Sequence, residues 1–458
     1  MRHRFALCTI PFLLATLVAQ APKNQPVARP DDRFKADVLL IVAHPDDETG
    51  VTAYLAQLAD QHKGVAALYL THGEAGQNHM GPERAASLGA VREMELRHAM
   101  TELGVQNVWF LDGLDTPGQN VLQSLGRWHH GAALEEVVRI VRLTRPEVII
   151  TWLPGFFIGE NHGDHQASGV LATEAFDIAG DPSVYPAQLA APVRTNETLL
   201  EGLRPWQPKK LYYFPDSQDQ NLFKGSGPQL PTGGVSSTRN VPYWLMSMEG
   251  FGFHLTQYRS YIEKFNKLDE QHLLAKGKED GWSDGGDLTF GKSNVGGTPK
   301  DDVLAGMTPG PIPFVAHAVT PPDTKTGVSV ELSGPWGFYE TFRRVHGLQH
   351  LPKAAVPEIA IAMGATLQIP LLLNNATASP KDIKLALSTP EGWTDQTGVA
   401  TYTVGANEDL PVLLTVTAPK QTATTPDEIV ATAQSEGKTV GTIKLRVKRR
   451  EGGLPQEW

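Results

Sequence analysis

From residue 36 to about residue 180, apolar runs alternate with amphipathic segments in the order typical of a parallel α/β sheet. Residues 36–43 (ADVLLIVA) form a continuous apolar run, which is typical of a strand buried on both faces. Further strands are predicted at 64–70, 107–111 and 147–152. Between them, residues 83–103 place apolar side chains at helical spacing and are followed by Gly104, a typical helix end. The pattern predicts a Rossmann-like parallel sheet layered with helices.

The pattern changes in the later part of the chain. Residues 182–240 are rich in Pro, Gly, Gln and Asn, which predicts long loops around a strand at 210–214 (KLYYF). Residues 277–310 are rich in Gly and Asp and are predicted to form another loop. Short runs then follow, several alternating in twos and separated by Pro, Gly and Asn, which predicts an all-β, immunoglobulin-like sandwich. We therefore expect an α/β domain over 32–348 with long loop insertions, and an accessory β-sandwich over 352–450.

The charge of the chain restricts what it can bind. Its 458 residues include 40 Lys+Arg and 50 Asp+Glu, a net charge of −10, without a basic run or basic helix. Binding the phosphates of nucleic acid or an anionic membrane surface requires clustered cations, so neither is predicted as a partner. The acidic stretch 279–287 lacks the regular ligand spacing and terminal Glu of a calcium loop, which favours a solvated loop. No oligomeric state is predicted.

The N-terminal residues predict export. Basic residues precede a mostly apolar stretch at 5–19, and Ala19-Gln20-Ala21 then supplies small residues for a cleavage site. The apolar stretch is shorter than the ~20 residues of a membrane span, which favours a cleaved signal peptide over 1–21 against the alternative of a membrane anchor. Cleavage would also remove Cys8, the only cysteine of the chain. We therefore expect a secreted or periplasmic protein without disulfides or stable membrane insertion.

Candidate chemistry lies where two of the predicted strands end. The first strand runs into residues 44–47 (HPDD), and about ten residues beyond the fourth comes 162–165 (HGDH). The carboxyl ends of parallel strands share one edge of the sheet, where ligands bind in such folds. Proline and acids also begin ordinary helices, and Asp164 would suit a helix N-cap, so each motif alone has a purely structural explanation. The occurrence of both motifs together favours a metal site.

The side chains of these motifs match the ligands of a catalytic zinc, which takes nitrogen and carboxylate oxygen from the protein and keeps a position open for water. His44, Asp47 and His165 would form such a set around a single Zn²⁺. Asp46 would then act as the general base toward the attacking water. His162 would act as an acid or electrostatic stabiliser, with Asp164 orienting its ring. This constellation predicts metal-assisted hydrolysis.

These motifs also resemble those of a known family. AHPDDE at 43–48 after an apolar strand, followed far downstream by HGDH at 162–165, is similar to the LmbE-like, or PIG-L, family of zinc-dependent N-acetylglucosaminyl deacetylases. The resemblance covers about 35–180 well and 243–347 loosely. It implies a Rossmann-like enzyme that removes the acetyl group from an N-acetylated amino sugar, with the zinc ligands, base and acid described above.

The resemblance implies two further residues that bind substrate. Arg92 matches a family arginine near the substrate, although a solvated helix arginine paired with a nearby acid explains it equally well. Asp115 is the second candidate, unless it only starts a turn. Some relatives place a tyrosine where this chain has Glu160, so the group that stabilises the oxyanion is not predicted.

The sandwich resembles a known accessory domain. Residues 376–393, with Trp393 after a Pro-x-Gly turn, are similar to the NPCBM-associated β-sandwich of secreted carbohydrate-active enzymes. Trp393 would stack on a sugar or, as is commoner for a tryptophan in a sandwich, pack in the core. Together the two domains predict an exported zinc deacetylase acting on an N-acetylglucosamine-type sugar or glycoconjugate. Two alternatives stay open, an amidase on another acylated conjugate and a non-catalytic carbohydrate-binding protein.

Overall fold

A computed structural model describes residues 30–190, 202–230, 233–308 and 310–451 of the chain. The predicted signal peptide over 1–21, with Cys8, lies outside the described residues, as does part of the predicted loop at 182–240. Within the described residues, no helix has the length and apolar character needed to cross a membrane.

The first domain is built on a six-stranded sheet. Its strands are β1 Val38–Val42, β2 Val65–Thr71, β3 Asn107–Gly113, β4 Val148–Trp152, β5 Lys210–Phe214 and β6 Thr289–Ser293. They lie in the order β3-β2-β1-β4-β5-β6, and all pairs are parallel except the one that β6 makes with β5 at the edge. The four strands predicted from apolar runs in the first 180 residues are confirmed as β1 to β4, and the strand predicted at 210–214 is β5.

Helices cover both faces of this sheet. The α-helices of the described residues are α1 Thr52–Asp60, α2 Ala86–Glu102, α3 Val121–Arg127, α4 His130–Thr144, α5 Gly163–Ile178, α6 Tyr243–Phe251, α7 Leu255–Phe265, α8 Glu270–Glu279 and α9 Gly334–Val345. Apolar side chains of α1, α2 and α6 pack on one face, and those of α3, α4 and α5 pack on the other. This two-sided burial explains why β1 is a continuous apolar run.

The strand order reverses beside β1, which has β2 on one side and β4 on the other. In open α/β sheets, the crevice beyond the carboxyl ends of the strands at such a reversal is where ligands bind. Residues 44–47 directly follow β1, and 162–165 follow the loop that leaves β4. The sheet topology therefore brings the two predicted motifs to the same crevice.

The second domain is a sandwich of a five-stranded and a four-stranded sheet, as predicted. Its strands after residue 350 are β8 Glu358–Ala362, β9 Thr366–Asn375, β10 Lys381–Ser388, β11 Thr394–Asp395, β12 Ala400–Val404, β13 Glu408–Thr417, β14 Asp427–Ser435 and β15 Lys438–Arg450. One sheet has the order β12-β10-β14-β15-β8, and the other has β11-β13-β9 followed by a strand from earlier in the chain.

That earlier strand is β7, Val328–Leu332, which pairs antiparallel with β9. It lies before the predicted start of the sandwich at 352, and α9 then carries the chain back against the first domain, where the rings of Phe156 and Trp336 lie 5.4 Å apart. Its sequence, VSVEL, alternates apolar and polar residues as a half-buried strand does, so the local pattern indicates a strand. Its place in the sandwich is not local, because its partner lies about 40 residues further on. One apolar cluster runs through both domains.

Candidate metal centre

Asp47 lies at the centre of the crevice. It begins a single 3-10 turn, Asp47–Gly50, just beyond β1. Its Oδ2 accepts hydrogen bonds from the backbone N–H groups of Ala43 and His44 and from the indole N–H of Trp152, each at 2.9 Å. Because three donors already occupy Oδ2, the other carboxylate oxygen is the one available to a ligand in the crevice.

The rings of His44 and His165 converge on that second oxygen. His165 Nε2 lies 3.1 Å from Asp47 Oδ1, and His44 Nδ1 lies 3.7 Å from it. All three side chains are buried. Two imidazole nitrogens and a carboxylate oxygen form a donor set suited to zinc and similar metals. The residues therefore fit the predicted metal, and His44, Asp47 and His165 would hold it.

Carboxylates behind the two rings determine which nitrogen faces the crevice. His165 Nδ1 lies 3.1 Å from Asp216 Oδ2, and His44 Nε2 lies 3.3 Å from Asp115 Oδ1. Burial alone would lower the pKa of each histidine, but the facing carboxylates raise both well above the usual value. Such carboxylate partners fix the tautomer of metal-binding histidines. A metal would displace the proton from the nitrogen that faces the crevice, and the other nitrogen of each ring would keep its carboxylate partner.

Asp164 does not orient His162, contrary to the prediction. Its Oδ2 lies 3.4 Å from His44 Nε2 and accepts the backbone N–H of Thr116 at 2.7 Å, while its Oδ1 is buried without a partner. The reason is local backbone geometry, since His162 is extended just before α5 begins whereas Asp164 is already helical. Asp164 is therefore a second carboxylate behind His44.

His162 completes a cluster of three histidines. Its ring centroid lies 4.8 Å from that of His44 and 5.0 Å from that of His165. Burial, together with the neighbouring histidines, lowers the pKa of His162 to about 3, and its Nδ1 has no hydrogen-bond partner. A neutral ring donates a hydrogen bond but carries no surplus proton, so the structure favours the stabiliser role over the acid role for this residue.

Asp46 is held apart from its neighbour Asp47, as the base role requires. Its φ of 108° is rare for a residue with a side chain. Its Oδ2 accepts the hydroxyl of Tyr258 at 2.9 Å, and its backbone N–H donates to Glu48 Oε2 at 3.0 Å. Burial, then the adjacent charge of Asp47, raises the pKa of Asp46 to about 6. It is thus a stronger base than an ordinary aspartate and is ionised at neutral pH.

A buried network supports the turn that carries Asp46. Glu48 Oε1 lies 2.7 Å from His254 Nε2, and Glu48 Oε2 accepts the hydroxyl of Tyr69 at 3.0 Å. Glu48 and His254 are only 1% and 0% exposed. A fully buried carboxylate is stable only when it is paired and hydrogen-bonded, so this network holds the unusual backbone of Asp46 in place.

The crevice opens into a cavity of about 600 Å³ whose wall includes both predicted substrate residues. Arg92 is buried and donates to the carbonyls of Gly73 at 2.6 Å and Gln77 at 2.9 Å, so the alternative of a solvated helix arginine is wrong. Asp115 is also buried, and its Oδ2 accepts the backbone N–H of Ala75 at 2.8 Å. Both side chains therefore shape the wall around the candidate metal site.

Three residues of the site were not predicted. Asp216 follows β5 just as the motif residues follow their strands, so a search of every strand end would find it. Trp152 ends β4 and stacks on His165, with ring centroids 4.4 Å apart and 10° between the planes. Tyr258 lies in α7 at a kink with φ −129° and ψ 28°, and only tertiary packing brings it to Asp46.

We expect Asp216→Asn to weaken metal binding by ~10- to 100-fold, because the amide keeps the size but loses the charge that fixes the His165 ring. Titration calorimetry on the metal-free variant measures this affinity. Asp219→Asn, three residues further on and outside the cavity wall, is the matched control and should bind as tightly as the unaltered protein. Equal affinities in the two variants would contradict the assigned role of Asp216.

Two family models match the chain. Residues 39–176, which contain both motifs, match PIG-L, described as GlcNAc-PI de-N-acetylase. Residues 364–436 match NPCBM_assoc, described as the NPCBM-associated, NEW3 domain of alpha-galactosidase. Both resemblances found in the sequence are confirmed.

Curated relatives match part of the chain. The chain is 32% identical over 190 residues to 1D-myo-inositol 2-acetamido-2-deoxy-alpha-D-glucopyranoside deacetylase 1 of Catenulispora acidiphila, a match that covers 38% of this chain and 58% of that protein. It is 34% identical over 193 residues to the protein of the same name from Frankia casuarinae, covering 38% and 57% respectively. The chain thus spans less than two thirds of the length of these relatives.

Solved structures show lower similarity. N,N'-diacetylchitobiose deacetylase from Pyrococcus horikoshii is 18% identical, with a TM-score of 0.37, and the match covers 57% of this chain and 85% of that one. The conserved protein TT1542 from Thermus thermophilus is 19% identical, with a TM-score of 0.36, and the match covers 60% of this chain and 100% of that one.

Proposed function

We propose that this chain, whose first domain belongs to the PIG-L (LmbE-like) deacetylase family and whose second is an NPCBM-associated domain, removes the acetyl group from an N-acetylglucosamine-type sugar. The observation that carries the proposal is a complete hydrolytic set in one cavity. Ligand atoms of His44, Asp47 and His165 converge there, and Asp46 lies beside them as a base of raised pKa. A protein that only bound carbohydrate would not need that base, which argues against the non-catalytic alternative.

Zinc is the metal we propose, because it suits two nitrogens and one carboxylate oxygen with a position left for water. When bound, it would activate that water and polarise the carbonyl of the amide. Asp46 takes the proton of the water and then gives it to the departing amine, while Tyr258 orients its carboxylate. His162 donates a hydrogen bond to the oxygen on which negative charge develops.

We also propose that the protein acts outside the cytoplasm. The support is the basic, apolar and small-residue pattern over 1–21. N-terminal sequencing of the protein recovered from culture medium or periplasm tests this, and an intact N-terminus in a cytoplasmic fraction would contradict it.

We propose that the substrate is longer than one sugar unit, because two cavities adjoin at the site. A second cavity of about 380 Å³ adjoins the first and shares Thr49, Gly50 and Trp152 with it. Its wall combines aromatic and acidic side chains, including Phe214, Asp280, Trp282 and Asp287. The acidic stretch 279–287, predicted to be a solvated loop, therefore contributes to a cavity wall.

The chemistry of the second cavity favours a neutral sugar unit. Among its lining residues that the structure describes, none is Lys or Arg, so the charged side chains that a phosphate would meet there are acidic. The hydroxyl groups of a sugar hydrogen-bond to carboxylates, and its apolar ring face packs on aromatic side chains. We therefore propose an oligosaccharide or neutral glycoconjugate as substrate, rather than a sugar linked through phosphate.

We expect Trp282→Ala to lower kcat/KM for an N-acetylated disaccharide by ~10-fold, because one side-chain contact to substrate is worth about 1–3 kcal/mol, while leaving the single sugar unaffected. The ratio of the two kcat/KM values is the measurement, since a loss of stability alone lowers both together. Trp109→Ala, which removes an aromatic ring outside both cavities, is the control. An unchanged ratio in Trp282→Ala would contradict the second sugar position.

Acetate release tests the function itself. The zinc-loaded mature protein is incubated with N-acetylglucosamine, its oligomers, an inositol conjugate, a phosphate-linked conjugate and an acyl amide that contains no sugar. We expect release from the neutral oligomers. Cleavage of a non-sugar acyl amide alone would favour the amidase alternative, and no cleavage of any amide by the metal-loaded protein would overturn the proposal.

A further inference from the structure

The sandwich meets the first domain through an edge strand. β8 pairs with β15 on one side only and is the last strand of its sheet. The other side of such a strand presents unpaired backbone N–H and C=O groups. Alternate residues of a strand point these groups in the same direction, so those of residues 358 and 360 share the outer edge.

The first contact to this edge comes from Gln119. The backbone N–H of Ala360 donates to Gln119 Oε1 at 3.0 Å, and Gln119 Nε2 donates to the carbonyl of Ala360 at 2.6 Å. This reciprocal pair is the pattern that a neighbouring strand would make. Gln119 is 5% exposed and lies four residues after Asp115, in the loop that leaves β3.

The second contact comes from Asn161, which directly precedes His162. Its Nδ2 donates to the carbonyl of Glu358 at 3.1 Å and to that of Phe157 at 2.7 Å. Its Oδ1 accepts the backbone N–H of Phe157 at 2.8 Å, so one amide both closes the loop after β4 and attaches it to β8. Asn161 is 1% exposed and has φ 55°, a conformation that asparagine tolerates better than most residues.

The two loops are also bonded to each other. The backbone N–H of Gly163 donates to the carbonyl of Gly118 at 2.8 Å, and that of Thr116 donates to Asp164 Oδ2 at 2.7 Å. The loop that carries Asp115 and the loop that carries His162 are therefore bonded to each other, and each of them is also bonded to the edge strand β8.

The sandwich itself offers little for binding a sugar by stacking. Trp393 and Tyr402 are the aromatic residues of 352–450. Trp393 is 8% exposed, belongs to the apolar core, and donates its indole N–H to Asp427 at 3.1 Å. The core position considered for Trp393 is thus the observed one, and the role of the sandwich has to be sought elsewhere.

We propose that β8 of the sandwich is a positioning strand for the metal centre. Through Gln119 and Asn161 it holds the two loops so that Asp115 and His162 keep their places beside His44. The catalytic consequence rests on the proposed deacetylase function, whereas the attachment of the loops does not. Gln119 and Asn161 are positioning residues, because Gln119 acts through Asp115 in its own loop and Asn161 acts through the neighbouring His162.

Gln119→Met tests the proposal, because methionine has similar length and volume but makes neither hydrogen bond. We expect the amide hydrogens of Thr116 and Gly163 to exchange ~10-fold faster, and kcat to fall by a similar factor with little change in KM. Ile383→Val is the matched control, since it loosens the sandwich core at a buried position away from β8. It should lower the melting temperature without changing exchange in the loops or kcat.

Ala360→Pro tests the same contact from the sandwich side. It removes the backbone N–H that donates to Gln119 Oε1. Proline is tolerated in an edge strand at a position whose N–H points away from the sheet. The proposal is overturned if both variants lower the melting temperature but leave loop exchange and kcat unchanged. If the unaltered protein cleaves no N-acetyl sugar, the proposed function fails on its own, and hydrogen exchange still decides whether β8 orders the loops.

Discussion

Asp46→Asn will keep the metal and lose about 10²- to 10⁴-fold in kcat, the usual contribution of a general base. Asparagine has the same size, still accepts the hydroxyl of Tyr258, and tolerates the positive φ of this position. Its amide cannot take a proton from water, however, and the three ligand side chains are untouched. Acetate release and metal content, measured on the same preparation, separate these two properties.

Asp112→Asn is the control for that result. Asp112 also lies near the end of a strand of the same sheet, but its carboxylate is fully exposed and outside the cavity wall. It should keep both the metal and full turnover. Turnover retained in Asp46→Asn would remove Asp46 as the base and transfer that role to another group of the cavity.

His165→Ala should lose both the metal and turnover. The substitution removes the nitrogen that lies 3.1 Å from Asp47 Oδ1 and leaves Asp216 facing no ring. We expect metal affinity to fall by more than the ~100-fold that loss of a supporting residue causes. Because a metal that binds the folded state raises its stability, the melting temperature of the unaltered protein should rise on metal addition, and that of the variant should not.

His130→Ala controls for the loss of a histidine. His130 lies at the start of α4, pairs with Glu174 at 2.6 Å and does not line the cavity, so this variant should respond to metal as the unaltered protein does. If the His165→Ala variant retained the metal, a different set of ligand residues would have to hold it. The group formed by His44, Asp115 and Asp164 is the alternative that the geometry offers.

The sequence predicted best the strands that are buried on both faces of the sheet. β1 is apolar throughout because both of its faces are covered, so its ends and the motif after it could be predicted. β6 was missed inside a predicted loop, because an antiparallel edge strand of the sequence TFGKS has no apolar alternation. β7, with the sequence VSVEL, does alternate, so its strand character lies in the local pattern, whereas its membership of the sandwich depends on pairing with β9 far along the chain.

The residues of the site also fall into two groups, those that the sequence pattern could locate and those that depend on tertiary contacts. His44, Asp47 and His165 follow strands that the pattern located, so their convergence follows from the topology of a parallel sheet. Tyr258 and Gln119 contact residues more than 200 positions away, and no local pattern indicates such a pairing. Which histidine Asp164 contacts depends on the backbone direction at the first turn of α5, and a sequence motif does not specify that direction.

The attachment of β8 also bears on aggregation. Residues 358–362 read EIAIA, a short and mostly apolar segment at the edge of a sheet, and an uncovered edge of this kind can pair with the same strand of a second molecule. The side-chain amides of Gln119 and Asn161 occupy its outer groups only after the two domains have docked. A chain whose sandwich folded before the first domain would expose this edge, so we expect docking of the two domains to protect the protein from aggregation.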